Sequence, residues 1–334
     1  MKQLFAVAAL VLSLAACGGD DEAGGNQTLT VYSGREEEIV EPLFERFEAQ
    51  TGIQVEVRYG DSAELAATLA EEGDNSPADV FFAQDPGSLG AVEQEGLLAE
   101  LPQDVLDRVE PRFRDPEGHW VGTSGRVRVV AYNTDLLDES DLPDSILGFT
   151  DARWRGKIGF PPTNASFQAF VTTMRLTLGD EETRAWLEGI QANEPKLYEK
   201  NLQTVEAVGR GEVEVGFVNH YYLFLAREED PSLPVENHYL GGGDPGALVS
   251  VAGVGILEAS DAAERFVEFL LSDEGQRFYA EEAEEAEYPL VAGIEPRAGL
   301  PPLSTLQGPE IELDRLGPEL ERTLELLNEV GLTS

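Results

Sequence analysis

Hydrophobic residues follow two different spacings along this chain. Short apolar runs at 29–33 and 78–83 are bounded by polar residues, glycine or proline, and this pattern predicts buried strands. Between them Ile39, Leu43 and Phe47 recur at the spacing of one helical face, which predicts an amphipathic helix. Strand and helix alternate in this way over the first hundred residues, and such an order predicts a parallel sheet with helices on both faces.

The same patterns predict elements over the rest of the chain. Strands are expected at 29–33, 53–60, 78–83, 126–133, 156–160, 214–218 and 247–257. Helices are expected at 37–52, 62–73, 86–96, 166–178, 181–190, 205–211, 221–229, 261–271, 273–286 and 317–331. Pro42 implies that the first helix begins near Val40 or is kinked, and Ser62 is the expected N-cap of the second.

The order of these elements predicts a two-lobed α/β protein. One α/β unit is followed by a strand at 126–133 that leaves it, by a second α/β unit, and by a long strand at 247–257 that returns. Two lobes joined by two hinge strands leave a cleft, where the C-terminal ends of strands and the N-termini of helices converge. Closure of the lobes around a ligand is the expected motion.

The N-terminal residues have the features of a lipoprotein signal. Lys2 precedes an apolar run at 4–14, which is too short to span a bilayer as a helix, and small residues lead up to Cys17. We expect Cys17 to be lipidated and to anchor the protein outside the cytoplasmic membrane, with residues 18–27 as a flexible tether. The alternative is an ordinary secretory signal with an incidental cysteine. Because Cys17 is the only cysteine, an internal disulfide is excluded.

The charge of the chain excludes one class of partner. The sequence has 64 acidic and 23 basic residues and a net charge of −41, so it would repel nucleic acid. Such a surface suits a cationic ligand, and it also suits a high-salt habitat in which solubility needs charge. We interpret the acidic runs at 226–230 and 281–287 as solvated helix faces with no role in ligand binding.

The sequence has no recognisable catalytic motif. Its single cysteine belongs to the signal, it contains no G-x-S-x-G elbow, and its three histidines are scattered. His119 and His238 have no spacing that suggests a metal site, and His220 is expected to be structural. We therefore expect a binding protein and not an enzyme, with no catalytic cofactor.

Two adjacent tyrosines, Tyr221 and Tyr222, lie just after the predicted strand at 214–218. One explanation is a helix start with one ring in the core and the other at the surface. The other is that both phenols turn toward the cleft. Neighbours within a strand point to opposite faces, but neighbours at a strand-to-helix junction can point the same way. The pair alone leaves both explanations open.

Several stretches of the chain resemble the periplasmic ferric-ion-binding proteins of ABC iron-uptake systems, which are extracellular solute-binding proteins. The matching stretches span most of the chain in the family's order and lie at 29–34, 47–55, 71–84, 124–133, 154–160, 197–201, 219–225, 243–250 and 287–290. The resemblance implies a type II periplasmic-binding fold and a monomer that delivers Fe³⁺ to an ABC permease with its ATPase. It also implies an N-terminal lobe of 28–127 plus 253–303 and a C-terminal lobe of 128–252 plus 304–334.

The resemblance also implies a set of metal ligands. Tyr221 and Tyr222 match the family's phenolate pair. Glu36 stands where the family often has a histidine, and a carboxylate can serve a hard cation. Gln84 stands where the family has a glutamate; its amide is a poorer ligand, and the neighbouring Asp85 is a candidate replacement. A bound cation can deprotonate a phenol at neutral pH, although a free phenol has a pKa of about 10.

An oxyanion such as carbonate or phosphate is expected to complete the coordination of iron. A small-residue turn at a helix start would bind it through backbone N–H groups, and arginines would neutralise it. The residues expected to contact the anion are Arg35, Arg126, Thr163, Asn164, Ala165, Asn201 and Asn219.

Other interpretations of the same residues stay open. Glu36 can be a helix N-terminal carboxylate, Asp85 can be the N-cap before Pro86, and Arg126 can be a hinge ion pair. The same fold can also bind an organic cation, such as a polyamine or a thiamine-like molecule, or an oxyanion alone.

Overall fold

The computed structural model describes residues 27–283 and 285–333. The predicted signal, Cys17 and the tether up to residue 26 lie outside the described residues. The strands are β1 Thr28–Ser33, β2 Gln54–Tyr59, β3 Val80–Ala83, β4 Trp120–Asn133, β5 Ile158–Phe160, β6 Lys196–Leu197, β7 Val215–Asn219, β8 Val235–His238, β9 Val249–Ile256 and β10 Tyr288–Pro289.

Most helices lie close to the predicted ranges; the exceptions are Gln103–Leu106, which the pattern did not predict, and the helix predicted at 273–286. They are α1 Glu37–Thr51, α2 Ser62–Glu72, α3 Pro86–Gln94, α4 Gln103–Leu106, α5 Ala165–Leu178, α6 Asp180–Ala192, α7 Asn201–Gly209, α8 Tyr222–Glu229, α9 Asp261–Leu270, α10 Asp273–Arg277 and α11 Leu320–Glu329. Within the described ranges, no helix is both long enough and apolar enough to cross a membrane.

The strands form a mixed sheet with the order β2-β1-β3-β9-β4-β7-β5-β6. β1 pairs in parallel with β2 and β3, which confirms the predicted parallel unit of the first hundred residues. A second parallel set is formed by β5 with β6 and β7. Both sets meet the antiparallel strands β4 and β9 at the centre of the sheet.

Strand β4 joins the two halves of the molecule. Its first half, from Trp120 to Val127, pairs with β9, and its second half, from Arg128, pairs with β7 and β8. The pattern predicted only 126–133 as strand. It missed 120–125 because this stretch contains two glycines and lacks hydrophobic alternation, and burial by its neighbours takes the place of that signal.

Two hydrophobic clusters fill the space between the sheet and its helices. In the first, the ring of Phe266 packs against the rings of Phe44 and Phe47, with ring centroids 5.5 and 5.2 Å apart respectively. In the second, the rings of Phe160 and Phe217 stack 5.9 Å apart. Such pairs stabilise a core beyond the area that they bury.

Two details of the first helices differ from the predictions. Helix α1 begins at Glu37 with Pro42 inside it, so a start near Val40 is wrong. The N-cap of α2 is Asp61 and not Ser62. The carboxylate of Asp61 accepts the backbone N–H of Ala63 at 2.9 Å. The hydroxyl of Ser62 instead accepts the backbone N–H of Gln84 at 2.9 Å, because the buried end of β3 needs a partner there.

The predicted helix at 273–286 is wrong. Helix α10 ends at Arg277, a π-helical turn covers Phe278–Glu282, and Ala286 has a left-handed φ of 45°. The interpretation of 281–287 as a solvated helix face is wrong as well, since Glu287 is fully buried. Arg35 is buried and needs a carboxylate partner, which Glu287 supplies. Because Arg35 is far from Glu287 in the sequence, the pattern of residues around Glu287 could not predict this pairing.

Candidate functional site

A cleft of about 980 Å³ opens where the N-termini of α1, α2, α3 and α5 meet the centre of the sheet. The predicted site residues that line it are Arg35, Glu36, Gln84, Asp85, Arg126, Ala165 and Asn219. The other predicted residues do not line it, but their side chains or backbones contact or lie near residues that do; these are Thr163, Asn164, Asn201, Tyr221 and Tyr222. The structure thus brings the predicted set to one region.

The tyrosine pair lies at the junction of β7 and α8. The phenol of Tyr221 donates to the phenol oxygen of Tyr222 at 3.1 Å, and the ring centroids are 4.3 Å apart. Both phenols therefore turn to the same side, as the junction allows. Burial and the nearby charge of Glu285 raise the pKa of Tyr221 well above its usual value. The Tyr221 phenol is therefore neutral at physiological pH.

His220 is buried against the ring of Tyr221, with ring centroids 5.6 Å apart. The backbone N–H of Val127 donates to its Nδ1 at 3.2 Å, so its Nε2–H donates to the carbonyl of Ala286 at 3.0 Å. Burial lowers the pKa of His220 to about 4, so the ring is neutral at physiological pH. The side chain acts in packing and hydrogen bonding, as expected from the sequence.

Arg128 is a residue that the sequence reasoning missed. Its guanidinium donates to Ser166 Oγ at 3.1 Å, Asn219 Oδ1 at 3.2 Å and the carbonyl of Phe217 at 2.8 Å. Among the residues described, it has no carboxylate partner. Burial lowers the pKa of Arg128 to about 9, against the opposing effect of the two phenols of the pair. It is therefore a buried cation that an anionic phenolate or oxyanion would satisfy.

The sequence contained a signal for Arg128. Arg126 and Arg128 are two residues apart in one strand, and this spacing places both on one face. Both line the cleft.

The other two arginines of the cleft are paired with a carboxylate. Arg35 is fully buried and donates through both terminal nitrogens to Glu287, at 3.0 and 2.9 Å. Arg126 donates to the carbonyl of Gln84, and its Nε lies 3.6 Å from Glu287 Oε1. Burial opposes ionisation of Glu287, but the two arginines outweigh it and lower its pKa. Arg35 thus anchors Glu287.

Glu285 is a second acidic residue that the sequence reasoning missed. It lines the cleft, and its Oε2 lies 3.7 Å from Nη2 of Arg35. Burial and the charge of Glu287 raise the pKa of Glu285 to about 7.

The N-terminus of α5 presents polar groups beside Arg128. Asn164 is its N-cap, and its side-chain oxygen accepts the backbone N–H of Ser166 at 3.0 Å. Asn201 donates to the same oxygen at 3.0 Å and to the Ser166 hydroxyl at 3.3 Å. The helix start that was predicted to bind an anion is therefore rigidly held and carries a partial positive charge.

The three remaining candidates of the cleft differ in availability. Both carboxylate oxygens of Asp85 are used by Ser88, whose N–H and hydroxyl donate at 2.8 and 2.9 Å, so Asp85 caps α3. Glu36 occupies the N-cap position of α1 without a capping hydrogen bond, and its side chain is exposed. The Oε1 of Gln84 is buried without a hydrogen-bond partner in the described part of the chain.

A second group of possible metal ligands lies outside the cleft. Ligand atoms of Glu93, Asp115 and His119 lie within 4.8 Å of one another, although their spacing in sequence did not suggest it. His119 Nδ1 is 3.2 Å from Asp115 Oδ2, a distance that a simple histidine–carboxylate hydrogen bond explains.

Sequence comparisons identify the family of this chain and several of its relatives. The family model described as bacterial extracellular solute-binding protein matches residues 75–301. The Fe(3+)-binding periplasmic protein of Serratia marcescens is 32% identical over 99% of this chain and 98% of its own length. The major ferric iron-binding protein of Neisseria meningitidis is 33% identical over 91% of this chain and 93% of its own.

Solved structures give the same result. Iron-bound HitA from Pseudomonas aeruginosa superposes with a TM-score of 0.81 at 37% identity, and the match covers 91% of this chain and 99% of HitA. Trichodesmium IdiA (FutA) in complex with iron and citrate superposes with a TM-score of 0.82 at 26% identity, covering 92% and 100%. The two-lobed type II periplasmic-binding fold is confirmed. The chain belongs to the bacterial extracellular solute-binding proteins and, within them, to the periplasmic ferric-ion-binding group.

Proposed function

We propose that the protein captures Fe³⁺ in its cleft through the phenolates of Tyr221 and Tyr222. The observation that carries this proposal is the pair of phenols 3.1 Å apart beside Arg128, a buried cation whose described partners are all neutral. Fe³⁺ is a hard, highly charged ion that favours anionic oxygen, and it can displace the protons of both phenols. The relatives named above are ferric-ion-binding proteins, which supports the same cargo here.

An oxyanion supplies further oxygen ligands in this proposal. Carbonate or phosphate would lie between Arg126, Arg128 and the N-terminus of α5, where Asn164 and Asn201 hold the turn. The structure of the Trichodesmium protein holds citrate together with iron, which supports an anion in the same role. Glu36 is exposed at the cleft wall and is the proposed carboxylate ligand that replaces a histidine.

Delivery requires partners outside this chain. We infer that a lipid anchor at Cys17 holds the monomer at the outer face of the cytoplasmic membrane, and that an ABC permease with its ATPase receives the iron. Lobes of 28–127 plus 253–303 and 128–252 plus 304–334 would close around the ion and exclude water, and docking on the permease would reopen them. The family's role in solute transport supports this assignment and argues against catalysis.

Visible spectroscopy tests the proposal. The purified protein, stripped of metal, is titrated with Fe³⁺-citrate in bicarbonate buffer, and a red or orange charge-transfer band is expected. The double substitution Tyr221→Phe with Tyr222→Phe should abolish the band. Tyr59→Phe is the control, because Tyr59 is a tyrosine of the cleft wall at the end of β2 and is not part of the pair. A colourless wild type that loses iron on desalting would instead favour binding of an organic cation or an oxyanion.

A further inference from the structure

The acidic segment after α10 brings a carboxylate into the wall of the cleft. Glu285 lines the cleft together with Arg126 and Glu36. Its Oε2 is buried and has no hydrogen-bond partner within residues 27–283 and 285–333. A buried carboxylate oxygen without a hydrogen bond is costly, and the 3.7 Å ion pair with Arg35 offsets that cost only in part. The position therefore points to a group that binds.

The backbone around Glu285 holds it in place. Glu287 is tied to Arg35 by two hydrogen bonds, and the carbonyl of Ala286 accepts from His220. Ala286 keeps a left-handed φ of 45°, which costs a non-glycine residue free energy and persists only where the surroundings impose it. The side chain of Glu285 is thus positioned by contacts on its C-terminal side.

The charges around Glu285 leave room for a cation. Arg35 lies 3.7 Å from its Oε2, but both terminal nitrogens of Arg35 already donate to Glu287. Its other charged or ionisable neighbours are Arg126, Glu36, Glu287 and Tyr221. The carboxylates Glu285, Glu287 and Glu36 thus act on one another together with the two guanidinium groups of Arg35 and Arg126, so negative charge is in excess around Glu285 and the region can accept a cation.

We propose that Glu285 is a ligand of the iron, with Oε2 as the donor atom. This inference rests on the proposed function, because it places Glu285 beside the two phenolates. A carboxylate oxygen is a hard anionic donor, and Glu285 would add a further negative charge to those of the two phenolates and the proposed Glu36 carboxylate around Fe³⁺. The site would then hold iron without an external oxyanion, and carbonate or phosphate would add affinity without being essential. In this arrangement, the carboxylate of Glu285 replaces the ligand that is lost because Gln84 has only a weakly coordinating amide.

The test compares Glu285→Gln with Glu281→Gln. The control removes the same charge from the same segment, but Glu281 is exposed and does not line the cleft. Iron-loaded proteins are measured for the position of the tyrosinate band and for iron retention against citrate, with and without bicarbonate. Glu285→Gln should keep the band but shift it, lose iron at least tenfold more readily, and need bicarbonate for retention. Wild type and Glu281→Gln should retain iron without it.

Two results would overturn the inference, and they are distinguishable. A wild-type band with an unchanged Glu285→Gln spectrum and retention would remove Glu285 from the site and leave the proposed function standing. A wild type with no band would remove both. Glu285→Asp keeps the carboxylate, so it should retain iron without bicarbonate better than Glu285→Gln. If Glu285→Gln fails to fold, as judged by thermal unfolding of the apoprotein, an unshifted band in Glu285→Asp counts against the inference.

Discussion

The three arginines of the cleft differ in what neutralises them. Arg35 is satisfied by Glu287, and Arg126 shares that carboxylate and a backbone carbonyl. Arg128 is equally buried but contacts only neutral acceptors among the residues described. At the residue scale, this difference assigns Arg35 to the scaffold and makes Arg128 available to an incoming anion.

Replacing Arg128 tests that assignment. Arg128→Gln removes the positive charge beside the phenols, so iron affinity measured by citrate competition should fall about 10–100-fold, as is typical for groups that support metal ligands. The apoprotein should unfold at an equal or higher temperature, because a buried unpaired cation is removed. Arg277→Gln, at an exposed position, is the control. Unchanged affinity in Arg128→Gln would contradict the role of Arg128.

His220 makes stability depend on pH. Its pKa is lowered by burial from 6.5 to about 4, so between these values the unfolded chain binds more protons than the folded protein. Its contribution to stability is therefore lost as pH falls from 6.5 to about 4, by an amount on the order of 3 kcal/mol. His220→Asn, whose amide oxygen can replace Nδ1, should lose less free energy of unfolding over this range. His238→Asn should behave like the wild type; equal losses in all three would exclude His220.

Among the secondary-structure elements, helix N-termini form much of the border of the cleft. The N-termini of α1, α2, α3 and α5 all border the cleft, and polar caps at Asp61, Asp85 and Asn164 hold three of them. These caps satisfy backbone N–H groups that would otherwise be free, and they fix where each helix begins. The acidic segment after α10 departs from helical geometry to deliver Glu285 and Glu287 to the same region.

Asp85 tests whether a cap also acts as a metal ligand. Because Ser88 occupies both of its carboxylate oxygens, we expect Asp85→Ala to lower the free energy of unfolding by about 1 kcal/mol. Asp85→Asn should retain most of the stability, since asparagine is a good N-cap. Its iron affinity should match the wild type. A large loss of affinity in Asp85→Asn, at unchanged stability, would make Asp85 a ligand.

The whole molecule is organised around β4, which pairs with one set of strands before Val127 and with another from Arg128. Arg126 and Arg128 therefore lie where the two halves of the sheet meet. A second meeting point is the contact between α3 and the segment before α11, where a methyl group on Gly317 would lie 2.6 Å from the carbonyl oxygen of Gly87. Both glycines line the cleft, so we expect their contact to limit how closely its walls approach.

Gly317→Ala tests this limit. The added methyl group should force the two backbones apart at a cost of about 1–3 kcal/mol. If closure needs this contact, iron affinity should fall while the position of the charge-transfer band stays the same. The radius of gyration of the iron-loaded protein from small-angle X-ray scattering should also increase. Gly241→Ala, where a methyl group meets nothing, is the control. Unchanged affinity and radius in Gly317→Ala would show that closure does not depend on this contact.

Elements with local signals could be predicted from the sequence. The alternating strands and helices of the first hundred residues, the long strand β9 and the helix start at Tyr222 follow from periodicity and turn residues. The adjacent phenols and the N-cap at Asp85 are likewise local features, because each depends on residues within one turn. Most predicted candidates therefore lie at or beside one cleft.

Which charges face the cleft depends on packing between distant parts of the chain. An acidic run such as 281–287 has the same pattern whether it is solvated or buried, and the distant Arg35 and Arg126 are what select Glu287 for burial. Arg128 is likewise distinguished from Arg126 by Ser166 and Asn219, which other elements bring to it. Burial and pairing depend on residues far apart in the chain, so they arise only when the strands and helices pack together.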